Sequence, residues 1–162
     1  MLLSKSYRST VEITRFARRL LGKTDVSDAI ERHGEAPVTR GFSSEAALNA
    51  AVAKEANALL KKGYRSIGIL TRTKKEAEGA YAALRDSLPI KALLSGKAAF
   101  ETGAVVMPAY LAKGIEFDAV FIRNAGAYQN EGERLLLYTA CTRALHALHV
   151  YHTGAPSPLL AP

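Results

Sequence analysis

The alternation of apolar segments constrains the fold more than any other feature of this sequence. Short runs that are apolar on both faces alternate with segments in which apolar residues recur at helical spacing. A strand that is apolar on both faces must be covered on both sides, so this alternation predicts a parallel sheet with helices on either face. The runs predicted to be strands are residues 66–71, 90–94, 104–107, 118–123 and 146–151.

The helices are predicted from their start and stop signals. Residues 9–12 read as a capping box that opens the first helix, and Gly22 ends it. A second helix covers residues 44–62, and a second capping box at residues 73–76 opens a third. A fourth helix is predicted over residues 135–146. The polar stretch between the first two helices is predicted to be a loop.

Length and composition indicate the class of protein. The 162 residues suffice for one domain, expected over 1–154, and the Pro-rich segment 155–162 is expected to be a flexible tail. The chain has neither the long apolar run of a membrane span nor a signal-peptide pattern, so a cytoplasmic protein with no membrane contact is expected. The single cysteine, Cys141, lies in an apolar segment and is expected to be a buried thiol.

The charge balance bears on the kind of partner. There are 22 basic and 15 acidic residues, which give a net charge of +7. Such a charge favours a polyanionic partner, although many basic domains bind none.

The sequence contains neither a complete phosphate-binding loop nor a metal-binding motif. Residues 22–24 end like such a loop, but the glycine required five positions before Gly22 is Ala17. His146, His149 and His152 are spaced three apart, and in a strand the second faces away from the other two. No metal site is therefore predicted.

Two arginines lack an obvious structural reason. In the predicted fourth helix Arg143 shares a face with Thr139 and Thr142, although the rest of that helix is apolar. Tyr7 and Arg8 directly precede the first helix, where its dipole disfavours a cation. An arginine beside an aromatic ring suits a nucleotide, with the ring on the base and the guanidinium on phosphate oxygens. The alternative is a solvated arginine beside a tyrosine that packs on the core.

Three segments, taken together, resemble the C-terminal half of the superfamily 1 helicase core of the UvrD/Rep type. They are KSYRST (5–10), PAYLAKGIEF (108–117) and LLYTACTRA (136–144), and they occur in the order in which that family has them. The resemblance covers nearly the whole chain. It implies a RecA-like parallel sheet with helices on both faces, of the P-loop NTPase type but without its own phosphate loop.

The resemblance also implies roles for individual residues. The chain would be the second RecA-like lobe, and ATP and Mg²⁺ would be held mainly by the N-terminal lobe of the same protein. Tyr7 would stack on the adenine, and Glu116, with the turn at Gly114, would reach the ribose or the γ-phosphate. Arg8 and Arg143 would bring positive charge to the γ-phosphate, as catalytic residues. The isolated domain is therefore expected to hydrolyse no ATP.

The middle segment departs from the family at the end that contacts nucleic acid. The family has a threonine and a histidine where this chain has Pro108 and Tyr110. Tyr110 and Lys113 remain candidates for binding single-stranded DNA. The chain also has no room for the large subdomain that UvrD carries between the first two segments. Both departures are more similar to the helicase-IV-like, HelD-type branch, whose members act on RNA polymerase.

Three functions are therefore compatible with the sequence. The first is the C-terminal motor lobe of an ATP-dependent DNA helicase or translocase. The second is part of a HelD-type factor that uses ATP to remodel RNA polymerase. The third is a stand-alone α/β binding module with degenerate motifs.

Overall fold

A sheet of six parallel strands organises the part of the chain that the structure, a computed structural model, describes, namely residues 9–23, 32–96 and 102–160. The strands lie in the order β1-β6-β5-β2-β4-β3. In chain order the elements are α1 (Val11–Leu20), β1 (Val38–Phe42), α2 (Glu45–Lys61), β2 (Ser66–Thr71), α3 (Lys74–Leu84), β3 (Ile90–Ala92), β4 (Gly103–Pro108), β5 (Phe117–Arg123), α4 (Arg134–Cys141) and β6 (Ala144–Thr153).

Helices cover both faces of the sheet, as the alternation of segments predicted. On one face α1 and α4 pack on the sheet through residues such as Ile13, Leu137 and Phe117. On the other face α2 and α3 pack through residues such as Val52 and Ala80. The α/β fold class with a parallel sheet is confirmed.

Strand β1 was not predicted, because its sequence carries no apolar run. It lies in the stretch that was expected to be a loop, and most of its side chains are exposed. Its place in the sheet comes from main-chain pairing with β6, in the register Val38 to His149 and Phe42 to Thr153. An edge strand held by backbone hydrogen bonds leaves little trace in hydropathy.

The capping box predicted at residues 9–12 is wrong. Thr10 is the N-cap of α1, and its hydroxyl accepts a hydrogen bond from the Ile13 amide at 3.3 Å. Ser9 instead donates to the carbonyl of Ala144 in β6. Ser44 is the N-cap of α2, at the start of the helix that was predicted over residues 44–62. Thr73 likewise caps α3.

The fourth helix is shorter than predicted. It ends at Cys141, and β6 begins at Ala144, so Arg143 lies in the turn between them. The Thr142 hydroxyl donates to the Thr139 carbonyl at 2.8 Å, in competition with the helical hydrogen bonds. The Phe117 amide donates to the Arg143 carbonyl at 2.9 Å, which draws the chain into the sheet.

The segment after β6 differs from the flexible tail that the sequence suggested. Residues Pro158–Leu160 form a short 3-10 turn, and Leu159 is buried in the core. Ser157 is also buried, and its hydroxyl donates to the Tyr128 carbonyl. These contacts tie residues 157–160 to the domain.

No helix in the described part of the chain is both long enough and apolar enough to cross a membrane.

Gly68 of β2 leaves room for the ring of Phe117 from β5. A Cβ atom at Gly68 would lie 2.7 Å from two carbons of that ring, which is buried and cannot swing into solvent. We expect Gly68→Ala to lower the free energy of unfolding by about 1–3 kcal/mol, because the core there is overpacked.

Urea denaturation measures this change, and Gly79→Ala is the matched control. Gly79 lies in α3 with open space around its Cα, so the control should stabilise the protein by about 0.5–1 kcal/mol. Equal stability of Gly68→Ala and the parent protein would contradict this account of the core.

Candidate functional site

The connection from β4 to β5 crosses from one end of the parallel strands to the other. Since the two strands are parallel, residues 109–116 must return from the edge where strands end, the carboxyl edge, to the edge where strands begin, the amino edge. Tyr110 lies in a 3-10 turn directly after β4, and Glu116 directly precedes β5. Gly114, with a φ of +85°, makes the turn between them. One short segment thus carries predicted site residues at both edges.

Arg143 lies at the amino edge, next to the end of α4. Its Nε donates to the Thr139 carbonyl at 3.3 Å, and one terminal nitrogen lies 3.4 Å from the Thr142 hydroxyl. Its own carbonyl accepts from Phe117, the residue after Glu116. The structure therefore brings the main chains of Glu116 and Arg143 to neighbouring positions. The structure still places Thr139, Thr142 and Arg143 close together, although α4 ends before the last two.

Tyr7 and Arg8 lie outside the described residues. Ser9, where the description begins, is buried, and its hydroxyl donates to Ala144, directly after Arg143.

Tyr110 and Lys113 line one groove, which we call the α4 groove. Its volume is about 320 Å³, and its walls are residues of the turn after β4 and of α4. Tyr110 is 53% exposed and Leu135 is 64% exposed, which makes them two of the three large apolar side chains exposed in the described part of the chain. The groove is lined by Ala109, Tyr110, Lys113, Gly132, Leu135, Leu136 and Thr139. Sequence analysis named Tyr110 and Lys113 as candidates but gave no indication of the contribution of α4, since nothing in the sequence pairs Leu135 with Tyr110.

An ion-pair network fixes the start of α4 at the carboxyl edge. Arg72, which follows β2, donates to Glu133 at 2.8 Å and to Glu76 at 3.1 Å. Burial would raise the pKa of Glu133, but the amides of Gln129 and Asn130 and the Arg72 guanidinium hold that pKa below its usual value. The network ties the turn before α4 to the end of β2. Helix α4 therefore begins at this network and ends at Cys141, directly before the turn that contains Arg143.

A second pocket opens at the amino edge, and sequence reasoning missed it. Its volume is about 610 Å³, and residues from five distant segments line it. We call it the amino-edge pocket; its lining is Thr10, Arg32, His33, Gly34, Glu35, Lys62, Gly63, Tyr64, Arg65, Asp118 and His146. The basic cluster around residues 61–65 was the one feature of the sequence that could have indicated this pocket.

None of the described residues form a group of histidine, cysteine, aspartate or glutamate side chains able to hold a metal ion. Cys141 is buried in the core, as expected, and burial raises the pKa of its thiol to about 12.

Comparison with known proteins identifies the family of this domain. The model of the UvrD-like helicase C-terminal domain matches residues 103–151, which include β4, β5, α4 and most of β6. A solved structure, the C-terminal domain of a possible DNA helicase from Lactobacillus plantarum WCFS1, is 33% identical and superposes with a TM-score of 0.80. The match covers 96% of this chain and 92% of that one. The chain belongs to the UvrD-like helicase C-terminal domain family.

More distant helicases share only the fold with this UvrD-like domain. Domain 2 of the DEAD-box helicase Mss116p, solved bound to an RNA duplex, has a TM-score of 0.50 at 15% identity. That match covers 71% of this chain and 54% of the other. No curated protein matches the chain by sequence.

Glu12 of this UvrD-like domain gives its stability a dependence on pH. A hydrogen bond from His33, at 2.8 Å, and one from the Gly34 amide, at 2.9 Å, hold the pKa of Glu12 at about 2 instead of 4.5. Because the folded-state pKa is the lower one, the carboxylate stabilises the fold above pH 4.5 and loses this contribution as the pH falls towards 2. We expect Glu12→Gln to flatten the loss of stability over that range.

Urea unfolding at a series of pH values measures the effect. Glu78→Gln is the control, since this exposed side chain of α3 makes no hydrogen bond or ion pair with any described residue. If Glu12→Gln and the control gave the same slope, the bonds to His33 and Gly34 would not stabilise the segment that they hold.

Proposed function

We propose that this chain is the C-terminal motor lobe of an ATP-dependent DNA helicase or translocase. The observation that carries the proposal is the hydrogen bond from the Phe117 amide to the Arg143 carbonyl. It brings Glu116 and Arg143, which are distant in sequence, to the same edge of the sheet. Membership of the UvrD-like family supports assigning this edge to the cleft between two lobes.

In this proposal ATP and Mg²⁺ are bound mainly by the other lobe. The chain has no phosphate loop, and the described residues offer no cluster of metal ligands, so this lobe supplies charge from across the cleft. When the nucleotide is bound, Arg143 neutralises charge that develops on the γ-phosphate, with Arg8 as its proposed companion. An arginine used in this way contributes about 10³–10⁵ in rate. Tyr7 would pack on the base, and Glu116 would face the ribose or the γ-phosphate.

The α4 groove is the proposed contact with single-stranded DNA. Base stacking on an aromatic ring tolerates every sequence, and the half-exposed ring of Tyr110 offers such a surface. Lys113, also exposed, would attract the phosphates. Residues 109–116 connect this groove to Glu116, so a shift at one edge is transmitted along a short segment to the other.

One observation favours a second function, a HelD-type factor that acts on RNA polymerase. Pro108 and Tyr110 replace the threonine and histidine of the UvrD/Rep type, and a proline offers neither a hydroxyl nor an amide to a phosphate. The exposed Leu135 beside Tyr110 also makes the groove more apolar than a phosphate-binding surface needs to be. Such a groove suits side chains of a protein as well as bases.

Arg143→Ala tests the proposed role in hydrolysis, in a protein that joins this chain to its N-terminal lobe. We expect kcat for ATP to fall by at least about a hundredfold, because the lost charge acts mainly in the transition state. The KM for ATP should change far less. Steady-state kinetics measures both.

Arg85→Ala is the matched control, since Arg85 is exposed after α3 and has no ion pair with a described residue. Circular dichroism must show that both variants fold. Loss of the fold in Arg143→Ala would mean that this arginine is structural, and an unchanged kcat in the folded variant would mean that it does not act in hydrolysis.

Tyr110→Ala separates the two functions. In a DNA helicase, ATP hydrolysis should rise strongly with single-stranded DNA. The variant should then need about 5- to 150-fold more DNA for half-stimulation, because about 1–3 kcal/mol of stacking is lost. In a HelD-type factor, DNA should stimulate only weakly, and core RNA polymerase should bind. The proposed function predicts the first outcome, whereas weak stimulation by DNA together with polymerase binding would favour the HelD-type factor, which lacks a phosphate-directed hydroxyl at Pro108. Strong stimulation with efficient unwinding and no polymerase binding would establish the DNA helicase alone.

A further inference from the structure

The amino-edge pocket carries three permanent positive charges, more than its two carboxylates balance. The cations are Arg32, Lys62 and Arg65. Of the carboxylates, Asp118 is already engaged, since one oxygen accepts from the amides of Arg65 at 2.7 Å and Ser66 at 3.3 Å. Its other oxygen lies 3.8 Å from Nε2 of His146. The surface that remains for a ligand is therefore basic.

Arg32 is fixed in the wall of this pocket. One terminal nitrogen lies 2.9 Å from Nδ1 of His146, and the other donates to the Leu145 carbonyl at 3.2 Å. Because a guanidinium can only donate, Nδ1 is the acceptor, and the proton of a neutral His146 sits on Nε2, towards Asp118. Because these bonds already hold the guanidinium in place, little free energy is lost to ordering this side chain when an anion binds.

Lys62 and Arg65 contribute the other two positive charges of the pocket. Both are exposed, and their side chains make no hydrogen bond or ion pair with any residue that the structure describes. They flank Gly63 and Tyr64 in the loop from α2 to β2. The half-buried Tyr64 ring packs edge-on against His146, with the ring centres 6.3 Å apart, and forms an aromatic wall. Lys62 and Arg65, which have no partner among the described residues, thus line the same pocket as the fixed Arg32, and Tyr64 forms part of its wall.

The pocket lies at the same edge as the proposed ATP-facing residues, but different residues line it. Of the described residues, neither Glu116 nor Arg143 lines it. Arg143 stays bonded to α4, on one face of the sheet, whereas Lys62 to Arg65 follow α2, which covers the other face. Its volume of about 610 Å³ lies within the range of small-molecule sites.

We propose that the amino-edge pocket binds a phosphate-bearing nucleotide unit. Arg65, Lys62 and Arg32 would contact the phosphate, and the sugar or base would pack against Tyr64. An arginine and a lysine together suit a phosphate. The guanidinium binds two phosphate oxygens in a fixed geometry, and the ammonium group is a point charge on a flexible side chain. The unit comes either from a free nucleotide or from a nucleic-acid strand. This site goes beyond the proposed function and does not depend on it.

The test uses the ¹⁵N-labelled 162-residue chain, titrated separately with AMP, inorganic phosphate and a short oligothymidylate. We expect saturable shifts at the amides of Gly34, Gly63, Tyr64 and Arg65 with AMP or with the oligonucleotide. Tighter binding of AMP would indicate a free nucleotide. Tighter, strongly salt-dependent binding of the oligonucleotide would indicate a strand. Phosphate alone should bind more weakly than AMP if Tyr64 contributes.

Lys62→Ala/Arg65→Ala should weaken binding at least about tenfold, since two charge-assisted hydrogen bonds are lost. Both residues are exposed, so the variant should fold, and the single variants Lys62→Gln and Arg65→Gln repeat the test with a smaller change. Lys54→Ala/Arg85→Ala is the control, because it removes the same charges from α2 and the end of α3. The proposal is overturned if no probe shifts the pocket amides, or if the control weakens binding equally.

Discussion

A main-chain hydrogen bond from the amide of Phe117 to the carbonyl of Arg143 joins two segments that are far apart in sequence. Phe117 begins β5, and Arg143 lies in the turn before β6, so this bond lies where the pairing of β5 with β6 begins. The ring of Phe117 is buried against Gly68 of β2, which fixes the same point from inside the core. The placement of Glu116 and Arg143 at one edge follows from this contact. The side chains that would face a nucleotide are therefore held by main-chain and core contacts.

Two elements on one face of the sheet connect its edges. The segment 109–116 carries Tyr110 at the carboxyl edge and Glu116 at the amino edge. Helix α4 begins at the Arg72–Glu133 network and ends just before Arg143. They pack against each other and form the α4 groove between them. A ligand in this groove would touch both elements. In the proposed motor lobe, such an arrangement would transmit a movement between the proposed nucleic-acid contact and the proposed nucleotide contact, because packed elements shift as units.

The sequence predicted the parts of the fold that burial dictates. The core strands β2, β4 and β5 are apolar on both faces, and the N-caps Ser44 and Thr73 mark the starts of α2 and α3. It did not predict β1, which is held by backbone pairing, or the end of α4, where hydrogen bonds of Thr142 and Phe117 outweigh an apolar pattern.

The sequence likewise indicated only part of the candidate site. The structure places Glu116 and Arg143 at one edge and Tyr110 and Lys113 in one groove, while the roles that the motifs imply for them stay predictions. Tyr7 and Arg8 lie outside the described residues, so their placement stays a prediction. The amino-edge pocket could not be predicted, since its walls come from segments that only the tertiary fold brings together.

The central claim is that this chain supplies charge to a nucleotide that another lobe holds. Its most direct test is reconstitution, in which the separately purified N-terminal lobe hydrolyses ATP with and without the 162-residue chain. We expect the wild-type chain to raise the rate of hydrolysis, to hydrolyse none alone, and to lose this effect in its Arg143→Ala form. Hydrolysis by the chain alone, or equal stimulation by the wild-type and Arg143→Ala chains, would contradict the account.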